Sequence, residues 1–472
     1  MKQSVRNTSS PGVSRREMLR RAGTGFGMLG LAGLLQNPFS ASASETGSAT
    51  HFAPKAKRVI FLFMNGAPSH VDTFDPKPAL AEHEGEQPEG KVERKKGGFM
   101  PSPFKFQPHG ESGNVLSELL PNLAKCADDL CILRSMYTDE PNHEPGLLMM
   151  HSGNQQPIRP SLGAWASYGL GTENENLPAY ICLCPGRPVV GPQLWSSSFL
   201  PAQHQGVSLD TNDLRVENLL RNLNHPRFNR DEQRSALDLL QSLNRLHQQQ
   251  REDDARLEAQ IRAYEMAFNM QREASLAFDI SREPQYVREM YGETVFGKSC
   301  LLARRLAEAG VRFTQVYYVD KGEKQPWDTH QDNNGRHQKL CADSDRASAA
   351  LLTDLKMRGL LDDTLVVWGG EFGRTPFAEI DEKNKDKKPG RDHHATGFSM
   401  FMAGGGVRAG ITYGATDQFG MHAVENRIHV HDLHATILHL LGIDHEKLTY
   451  RYSGRDFRLT DVYGKVVSDI IA

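Results

Sequence analysis

The sequence has few cysteines and almost no net charge. Its six cysteines in 472 residues include no C-x-x-C pair, which leaves disulfide scaffolds, zinc ribbons and thioredoxin-like sites without support. The formal charge of −3 provides no basic surface for a nucleic-acid backbone, so we expect no nucleic-acid partner. No nucleotide, haem or flavin motif is present. With 38% hydrophobic and 24% charged residues, the composition fits a globular protein with a sizeable core.

Residues 1–43 have the three parts of a twin-arginine export signal. Arg15 and Arg16 precede a Gly- and Leu-rich apolar run over 26–35, and residues 41–43 have the small-x-small form that signal peptidase reads. The apolar run is too short for a membrane span. We therefore expect export in the folded state by the twin-arginine translocase. The predicted location is periplasmic or extracellular, with no stable membrane span in the mature chain.

Four short apolar runs predict strands that are buried on both faces, at 59–64, 312–319, 364–368 and 398–403. Helical patterns at 295–309 and 343–361 separate three of them, and a last helix begins at residue 431. Strands that alternate with helices predict an α/β fold with a mostly parallel central sheet flanked by helices.

Two segments differ in composition from this core. Residues 76–113 are rich in Pro, Gly, Lys and Glu and predict a surface insertion. Residues 230–277 contain neither Pro nor Gly and predict a helical hairpin, so that 229–290 forms a helical insertion. The remaining chain, 44–228 and 291–472, would then supply the two parts of one α/β domain.

Histidines and carboxylates follow or precede the predicted strands. In open α/β sheets, ligands bind beyond the carboxyl ends of the strands. Asp328 and His330 follow the second strand, and Asp392 precedes His393 and His394 before the fourth. Such mixed oxygen and nitrogen donors suit a divalent metal, namely zinc, manganese, iron or calcium. The alternative is a polar network that joins two loops, in which a histidine only donates a hydrogen bond.

Glu371 and Arg374 follow the third strand. Glu371 can act as a ligand or a general base, and the planar guanidinium of Arg374 suits a sulfate, phosphate or carboxylate. The alternative is a Glu–Arg pair that closes the turn. His143 is a further candidate, in an N-H-E-P-G run before a Met-rich helical stretch.

Several long motifs resemble a family of exported sulfatase-like proteins, known as domain of unknown function family 1501. They are F-L-F-M-N-G-A-P-S-H-V-D-T-F-D-P-K-P, W-D-T-H, W-G-G-E-F-G-R-T-P, G-R-D-H-H, A-G-G-G-V-R-A-G-I-T-Y-G-A-T-D and H-D-L-H-A-T-I-L-H-L-L-G-I-D-H, within about residues 55–465. This family looks like a branch of the alkaline phosphatase superfamily, which includes sulfatases and cofactor-independent phosphoglycerate mutases. The resemblance implies an alkaline phosphatase/sulfatase-like fold.

The resemblance also implies roles for single residues. Asp328 and His330 look like the Asp and His of the superfamily's first metal site, and His393 or His394 looks like its further His. His143 lies near the usual nucleophile segment, which makes it a catalytic candidate, although no C-x-P-x-R or S-x-P-x-R run is present.

The departures from the superfamily pattern fall on its second metal site. Asn65 stands where the first-strand Asp is expected, Glu371 replaces the Asp of an Asp-His pair, and Phe372 replaces its His. Phe cannot bind a metal.

The resemblance, together with the Asp, His and Arg residues at strand ends, predicts a hydrolase of sulfate or phosphate esters, such as those of polysaccharides, and the departures predict that its site is a degenerate single-metal site. The metal would be held by Asp328, His330 and His394, with Glu371 as the base. Arg374 would bind the anionic substrate. The alternative is a non-catalytic protein of the same fold that binds a polyanion or carbohydrate or serves as an envelope scaffold.

Overall fold

The computed structural model describes residues 50–87, 96–220, 228–248, 264–266, 268–269, 276–320, 322–380 and 388–472. The predicted export signal at 1–43 lies outside these residues. So does most of the second arm of the predicted helical hairpin.

The described residues form a nine-stranded central sheet with smaller two-stranded ribbons around it. With strands numbered in chain order, the central sheet contains β1 (Arg58–Phe63), β5 (Leu130–Tyr137), β6 (Tyr180–Cys184), β7 (Val207–Asp210), β8 (Phe313–Tyr317), β9 (Thr364–Gly369), β13 (Phe398–Ala403), β14 (Ile411–Tyr413) and β17 (Ile428–His429). The ribbons contain β2 (Lys96–Phe99), β3 (Phe106–His109), β4 (Asn114–Ser117), β10 (Gly373–Arg374), β11 (Phe377–Glu379), β12 (His393–His394), β15 (Ala415–Thr416), β16 (Ala423–Glu425), β18 (Tyr450–Tyr452) and β19 (Arg455–Phe457).

Helices cover both faces of the sheet. The α-helices are α1 (His70–Thr73), α2 (Ala79–Glu82), α3 (His143–Ser152), α4 (Leu162–Leu170), α5 (Val216–Leu219), α6 (Arg230–Gln248), α7 (Gln285–Tyr291), α8 (Val295–Glu308), α9 (Asn333–Met357) and α10 (Val430–Leu440). Short 3₁₀ helices lie at Leu123–Asp129, Gly191–Trp195, Ala202–His204, Ile280–Arg282, Leu361–Asp363 and Ser468–Ile470. Within the described part of the chain, no helix has both the length and the apolar character that a membrane crossing requires.

The order of the sheet is β14-β5-β13-β9-β1-β8-β6-β7, with β17 also paired to β5. The pairs among β9, β1, β8, β6 and β7 are all parallel. The prediction of a mostly parallel sheet flanked by helices is therefore confirmed. Strands from both halves of the chain share the sheet, since β1 lies between β8 and β9.

The strand β1 shows why an unbroken apolar run marks a central strand. Every residue of β1 is buried, and successive side chains of a strand point to opposite faces. Ile60 and Leu62 lie in one hydrophobic core with residues of α8 and α9. Phe61 and Phe63 lie in a second core with residues of α3, α4 and α10.

The fourth predicted strand, β13, runs antiparallel to both of its neighbours, β5 and β9. Its first residues therefore lie at the same edge of the sheet as the last residues of β1 and β9. This direction brings the segment before β13, which contains Asp392 and His393, to the carboxyl edge where β9 ends.

One predicted helix differs in extent from the structure. The helix expected at 343–361 is α9, which begins earlier, at Asn333. In the region predicted as a helical insertion, α6 carries Arg234, which forms an ion pair of 2.9 Å with Glu265 of the second arm. Leu243 of α6 is 43% exposed.

Candidate metal centre

The candidate site lies at the carboxyl edge of β1, β8 and β9, where two loops approach each other closely. Trp327 donates its backbone N–H to the carbonyl of Asn65 over 3.0 Å. Gly66 has φ +103°, and a Cβ at this position would lie 2.4 Å from the backbone nitrogen of Asp328. Only glycine combines this backbone conformation with so close an approach. The loop after β1 thus fixes the position of Asp328.

Three imidazole nitrogens surround one carboxylate oxygen at this edge. The Oδ1 atom of Asp328 lies 2.9 Å from Nε2 of His330, 3.2 Å from Nε2 of His143 and 3.3 Å from Nε2 of His393. The Nε2 atoms of His330 and His393 are 3.0 Å apart. One ligand atom from each of these four residues falls within 4.8 Å of the others.

The outer nitrogen of each histidine has an oxygen partner. Nδ1 of His143 lies 2.7 Å from Oε1 of Glu371, and Nδ1 of His393 lies 2.7 Å from the carbonyl oxygen of Pro141. Nδ1 of His330 contacts Oε2 of Glu379. An ionised carboxylate or a carbonyl oxygen can only accept, so each Nδ1 carries the hydrogen.

With the hydrogen on Nδ1, each Nε2 presents a lone pair toward Asp328 when the ring is neutral, and donates a hydrogen to Asp328 when the ring is protonated. Three lone pairs and an anionic oxygen repel one another unless a cation or shared protons lie among them. Metal-binding histidines in proteins usually donate their other N–H to a carboxylate or a carbonyl group. The four residues therefore fit a divalent metal with three nitrogen donors and one oxygen donor.

Arg374 supports the carboxylate of this cluster. Its Nη2 donates to Oδ1 of Asp328 over 2.6 Å and to the carbonyl of Gly66, and its Nε donates to the carbonyl of Ala67 over 3.1 Å. The side chain has no exposed surface. Arg374 thus joins Asp328 to the loop after β1, and its binding of an anionic substrate stays a prediction.

The charges around Asp328 shift its pKa strongly. Burial alone would raise the pKa of this carboxyl group. Hydrogen bonds from His143, His330 and His393 and the charge of Arg374 outweigh burial and hold the pKa well below its usual range. Asp328 is therefore an anion at neutral pH.

The histidines respond to the same contacts in different ways. Burial would lower the pKa of His330, but its hydrogen bonds to Asp328 and Glu379 raise it to about 9. The hydrogen bonds of His143 to Asp328 and Glu371 likewise outweigh burial and raise its pKa. For His393, burial prevails and the pKa is lowered.

Glu371 lies behind His143. It is fully buried, and its Oε1 accepts hydrogen bonds from Nδ1 of His143 over 2.7 Å and from the backbone N–H of Gly66 over 3.1 Å. Because the imidazole of His143 separates Glu371 from Asp328, this carboxylate suits the orientation of a ligand. A general base must reach the reacting atoms, and this role of Glu371 stays a prediction.

The structure separates His393 from His394. They form the two-residue strand β12, which pairs with β10 so that Arg374 lies opposite His393 and Gly373 opposite His394. Adjacent residues of a strand face opposite sides. His394 stacks on His70, with ring centroids 5.7 Å apart, and its Nε2 donates to the carbonyl of Gly420 over 3.2 Å. His394 is thus outside the cluster that His393 joins.

Phe372 packs against the histidines of the cluster. Its ring centroid lies 4.9 Å from that of His143 and 4.9 Å from that of His393. An apolar ring here restricts both imidazoles and supplies no donor atom. A second possible metal group, formed by Glu379 and Asp392 with the shared His330, lies on the other side of His330.

The sequence analysis did not identify Glu379 or the carbonyl of Pro141 as parts of the site. Glu379 stands in β11, five residues beyond Arg374, in a run with no motif. Every residue has a backbone carbonyl group, so the sequence cannot indicate which carbonyl takes part in a site. His143 was recognised only as a catalytic candidate, whereas the structure places it among the possible metal ligands.

Similar structures include a lipoteichoic acid synthase, LtaP, from Listeria monocytogenes, with 11% identity, 88% of this chain and 78% of that chain covered, and a TM-score of 0.37. Another is the PsFucS1 sulfatase from Pseudoalteromonas sp., which is 14% identical. The match covers 92% of this chain and 73% of that chain, with a TM-score of 0.36. A third is a protein in the alkaline phosphatase superfamily from Vibrio parahaemolyticus, which is 11% identical. The match covers 90% of this chain and 78% of that chain, with a TM-score of 0.33.

No curated protein matches the sequence. A family model described as "Protein of unknown function (DUF1501)" matches residues 56–471. The match spans most of the chain and agrees with the resemblance of the motifs. The chain therefore belongs to the DUF1501 family.

Proposed function

We propose that the protein is an exported hydrolase of sulfate or phosphate esters that uses a single divalent metal, held by His143, Asp328, His330 and His393. The observation that carries this proposal is the convergence of three Nε2 atoms on Oδ1 of Asp328, at 2.9 to 3.3 Å, while every Nδ1 donates outward. The resemblance of the motifs to sulfatase-like proteins supports the reaction class.

A divalent metal at this position would supply Lewis acidity, which polarises an ester oxygen and makes water easier to deprotonate. The chain's own residues hold the ligands in place. Arg374 fixes Asp328 to the loop after β1, and Glu371 fixes the ring of His143. The substrate would approach on the side of Asp328 and His330, whose side chains are 23% and 30% exposed. His143 and His393 are 10% exposed and form the inner wall.

Two observations favour the alternative, a non-catalytic protein that binds a polyanion or carbohydrate or forms an envelope scaffold. The nitrogens Nε, Nη1 and Nη2 of Arg374 all donate to protein oxygens, and Phe372 stands where the superfamily pattern has a metal-binding His. A protein of this kind would retain the metal as a structural element and bind the anion without cleaving it.

The test is hydrolysis of p-nitrophenyl sulfate and p-nitrophenyl phosphate by the mature chain. The protein is stripped of metal with a chelator and then titrated with zinc, manganese, iron(II) or calcium. We expect turnover that depends on metal and saturates near one ion per chain, and we expect its loss in Asp328→Asn. The matched control is Asp129→Asn, which changes a partly exposed carboxylate that pairs with Lys356.

Stoichiometric metal without turnover of either ester class would favour the non-catalytic alternative. If wild-type protein takes up none of these ions, the single-metal site itself is wrong. Turnover that Asp328→Asn leaves unchanged would place the reaction elsewhere in the molecule.

A further inference from the structure

A two-stranded ribbon lies beside His330, outside the central sheet. It pairs β11 with β2 in antiparallel fashion, with Phe377 opposite Phe99 and Glu379 opposite Lys96. Because β2 belongs to the segment predicted as a surface insertion, that segment pairs with the strand that carries Glu379.

The ribbon is attached to the His330 loop through Gly390. Glu379 donates its N–H to the carbonyl of Gly390 over 2.8 Å, and Gly390 donates its N–H to the carbonyl of Glu379 over 3.1 Å. A Cβ on Gly390 would lie 1.9 Å from the carbonyl carbon of His330. Gln331 forms a further backbone bridge with Pro389. These contacts leave little freedom for Glu379 relative to His330.

The carboxylate of Glu379 accepts the Nδ1 hydrogen of His330. The neighbouring carboxylate, that of Asp392, has its Oδ1 at 3.9 Å from the same nitrogen, which exceeds hydrogen-bond distance. Glu379 therefore holds the imidazole in the orientation in which Nε2 lies 2.9 Å from Asp328 and 3.0 Å from His393.

We propose that Glu379 is a positioning residue of the metal centre, which fixes the tautomer and the ring orientation of His330 from the β2–β11 ribbon. This inference rests on the proposed function, since it requires that His330 binds a metal. The fixed ring avoids the loss of rotational freedom on metal binding, and the negative charge makes the nitrogen a stronger donor. Partners of this kind typically change metal affinity by about 10–100-fold.

The experiment is a titration of the metal-free mature chain with Co²⁺, followed by the visible absorption bands of the bound ion. A competing chelator of known affinity gives the dissociation constant. The variants are Glu379→Ala, which removes the acceptor, and Glu379→Gln, which keeps an acceptor oxygen but removes the charge. The matched control is Glu86→Gln, since Glu86 belongs to the same segment, pairs with His83 and is exposed.

We expect Glu379→Ala to weaken Co²⁺ binding by about 10–100-fold and to change the absorption bands. Glu379→Gln should have an intermediate affinity, while Glu86→Gln should match wild type. Far-UV circular dichroism and thermal unfolding of the metal-free variants separate a local effect from a fault in folding. If Glu379→Ala does not fold, Glu379→Gln alone decides the question.

The outcomes separate this inference from the proposed function. Suppose that wild type binds Co²⁺ and that the folded Glu379 variants have the same affinity and the same spectrum as wild type. This result would overturn the role of Glu379 and leave the metal centre intact. Wild type that binds no Co²⁺ would overturn both. Equal weakening in Glu86→Gln would show that the ribbon acts only through stability.

Discussion

Replacement of Asp72 by Asn should destabilise the fold strongly, because it would leave a buried arginine without its anion. Oδ2 of Asp72 accepts from Nε of Arg391 over 2.8 Å, from Oγ of Ser69 over 2.6 Å and from Nδ2 of Asn333 over 2.9 Å. Neither Asp72 nor Arg391 has any exposed side-chain surface. The network joins α1, the start of α9 and the segment that leads to His393.

The magnitude follows from what Arg391 keeps after the change. Removal of one partner from a buried ion pair typically costs about 3–5 kcal/mol in the free energy of unfolding. Arg391 retains the carbonyl oxygens of Thr375 and Met100 as acceptors, each at 3.0 Å. We therefore expect Asp72→Asn to lower the free energy of unfolding by an amount near the lower end of this range, about 3 kcal/mol.

Urea unfolding followed by far-UV circular dichroism measures this difference. Asp129→Asn is the control, since Asp129 pairs with Lys356, whose side chain is 61% exposed, and such a pair typically contributes about 0–1 kcal/mol. The double variant Asp72→Asn/Arg391→Met removes the unpaired charge and should lose less than the two single changes together. A loss below about 1 kcal/mol for Asp72→Asn would refute the reasoning.

The same pair gives a definite pH dependence. Burial would raise the pKa of Asp72, but the charge of Arg391, the charge of His337 and the hydrogen bond from Ser69 outweigh burial and hold the pKa far below its usual range. A depressed pKa stabilises the fold above the unfolded value of about 3.9. The advantage of wild type over Asp72→Asn should therefore be constant above about pH 5 and shrink as the pH falls below about 4.

Two further predictions concern the packing of the site and of the core. Gly66→Ala should lower the stability by more than about 1 kcal/mol and weaken metal binding, because its Cβ would displace Asp328. Urea unfolding would measure the loss of stability, with Gly85→Ala as the control, because Gly85 has φ +80° but no atom within 4 Å of its Cβ. Equal losses of stability in the two variants would contradict the predicted clash. All six cysteines are buried and free, so Ellman's reagent should react with none in the native protein and with six after denaturation. Rapid reaction of a native thiol would contradict this burial.

The sequence predicted the central strands well because fully buried parallel strands read as unbroken apolar runs. The run at 398–403 is equally apolar, yet β13 is antiparallel, since apolar character carries no information on strand direction. Helix α9 begins ten residues before its predicted start because its first turns are mostly polar and have no apolar period. The expectation that chemistry-bearing residues gather at strand ends led to Asp328, His330, His393 and His394.

The sequence could not distinguish His393 from His394, because a two-residue strand has no period to read. Their faces depend on the pairing of β12 with β10, which is a tertiary contact. Glu379 was missed for a similar reason. Its contact with His330 requires the pairing of β11 with β2, and these strands lie almost 280 residues apart in sequence. The orientation of the Arg374 side chain also depends on tertiary contacts, namely its hydrogen bonds to the carbonyls of Gly66 and Ala67.

The central claim is that His393, and not its neighbour His394, completes a single metal site. The most direct test is elemental analysis of wild type, His393→Ala and His394→Ala, each purified without chelator and checked for native circular dichroism. The account predicts about one zinc, manganese, iron or calcium ion per chain in wild type and in His394→Ala, and a large loss in His393→Ala. No metal in wild type, or a loss confined to His394→Ala, would contradict it.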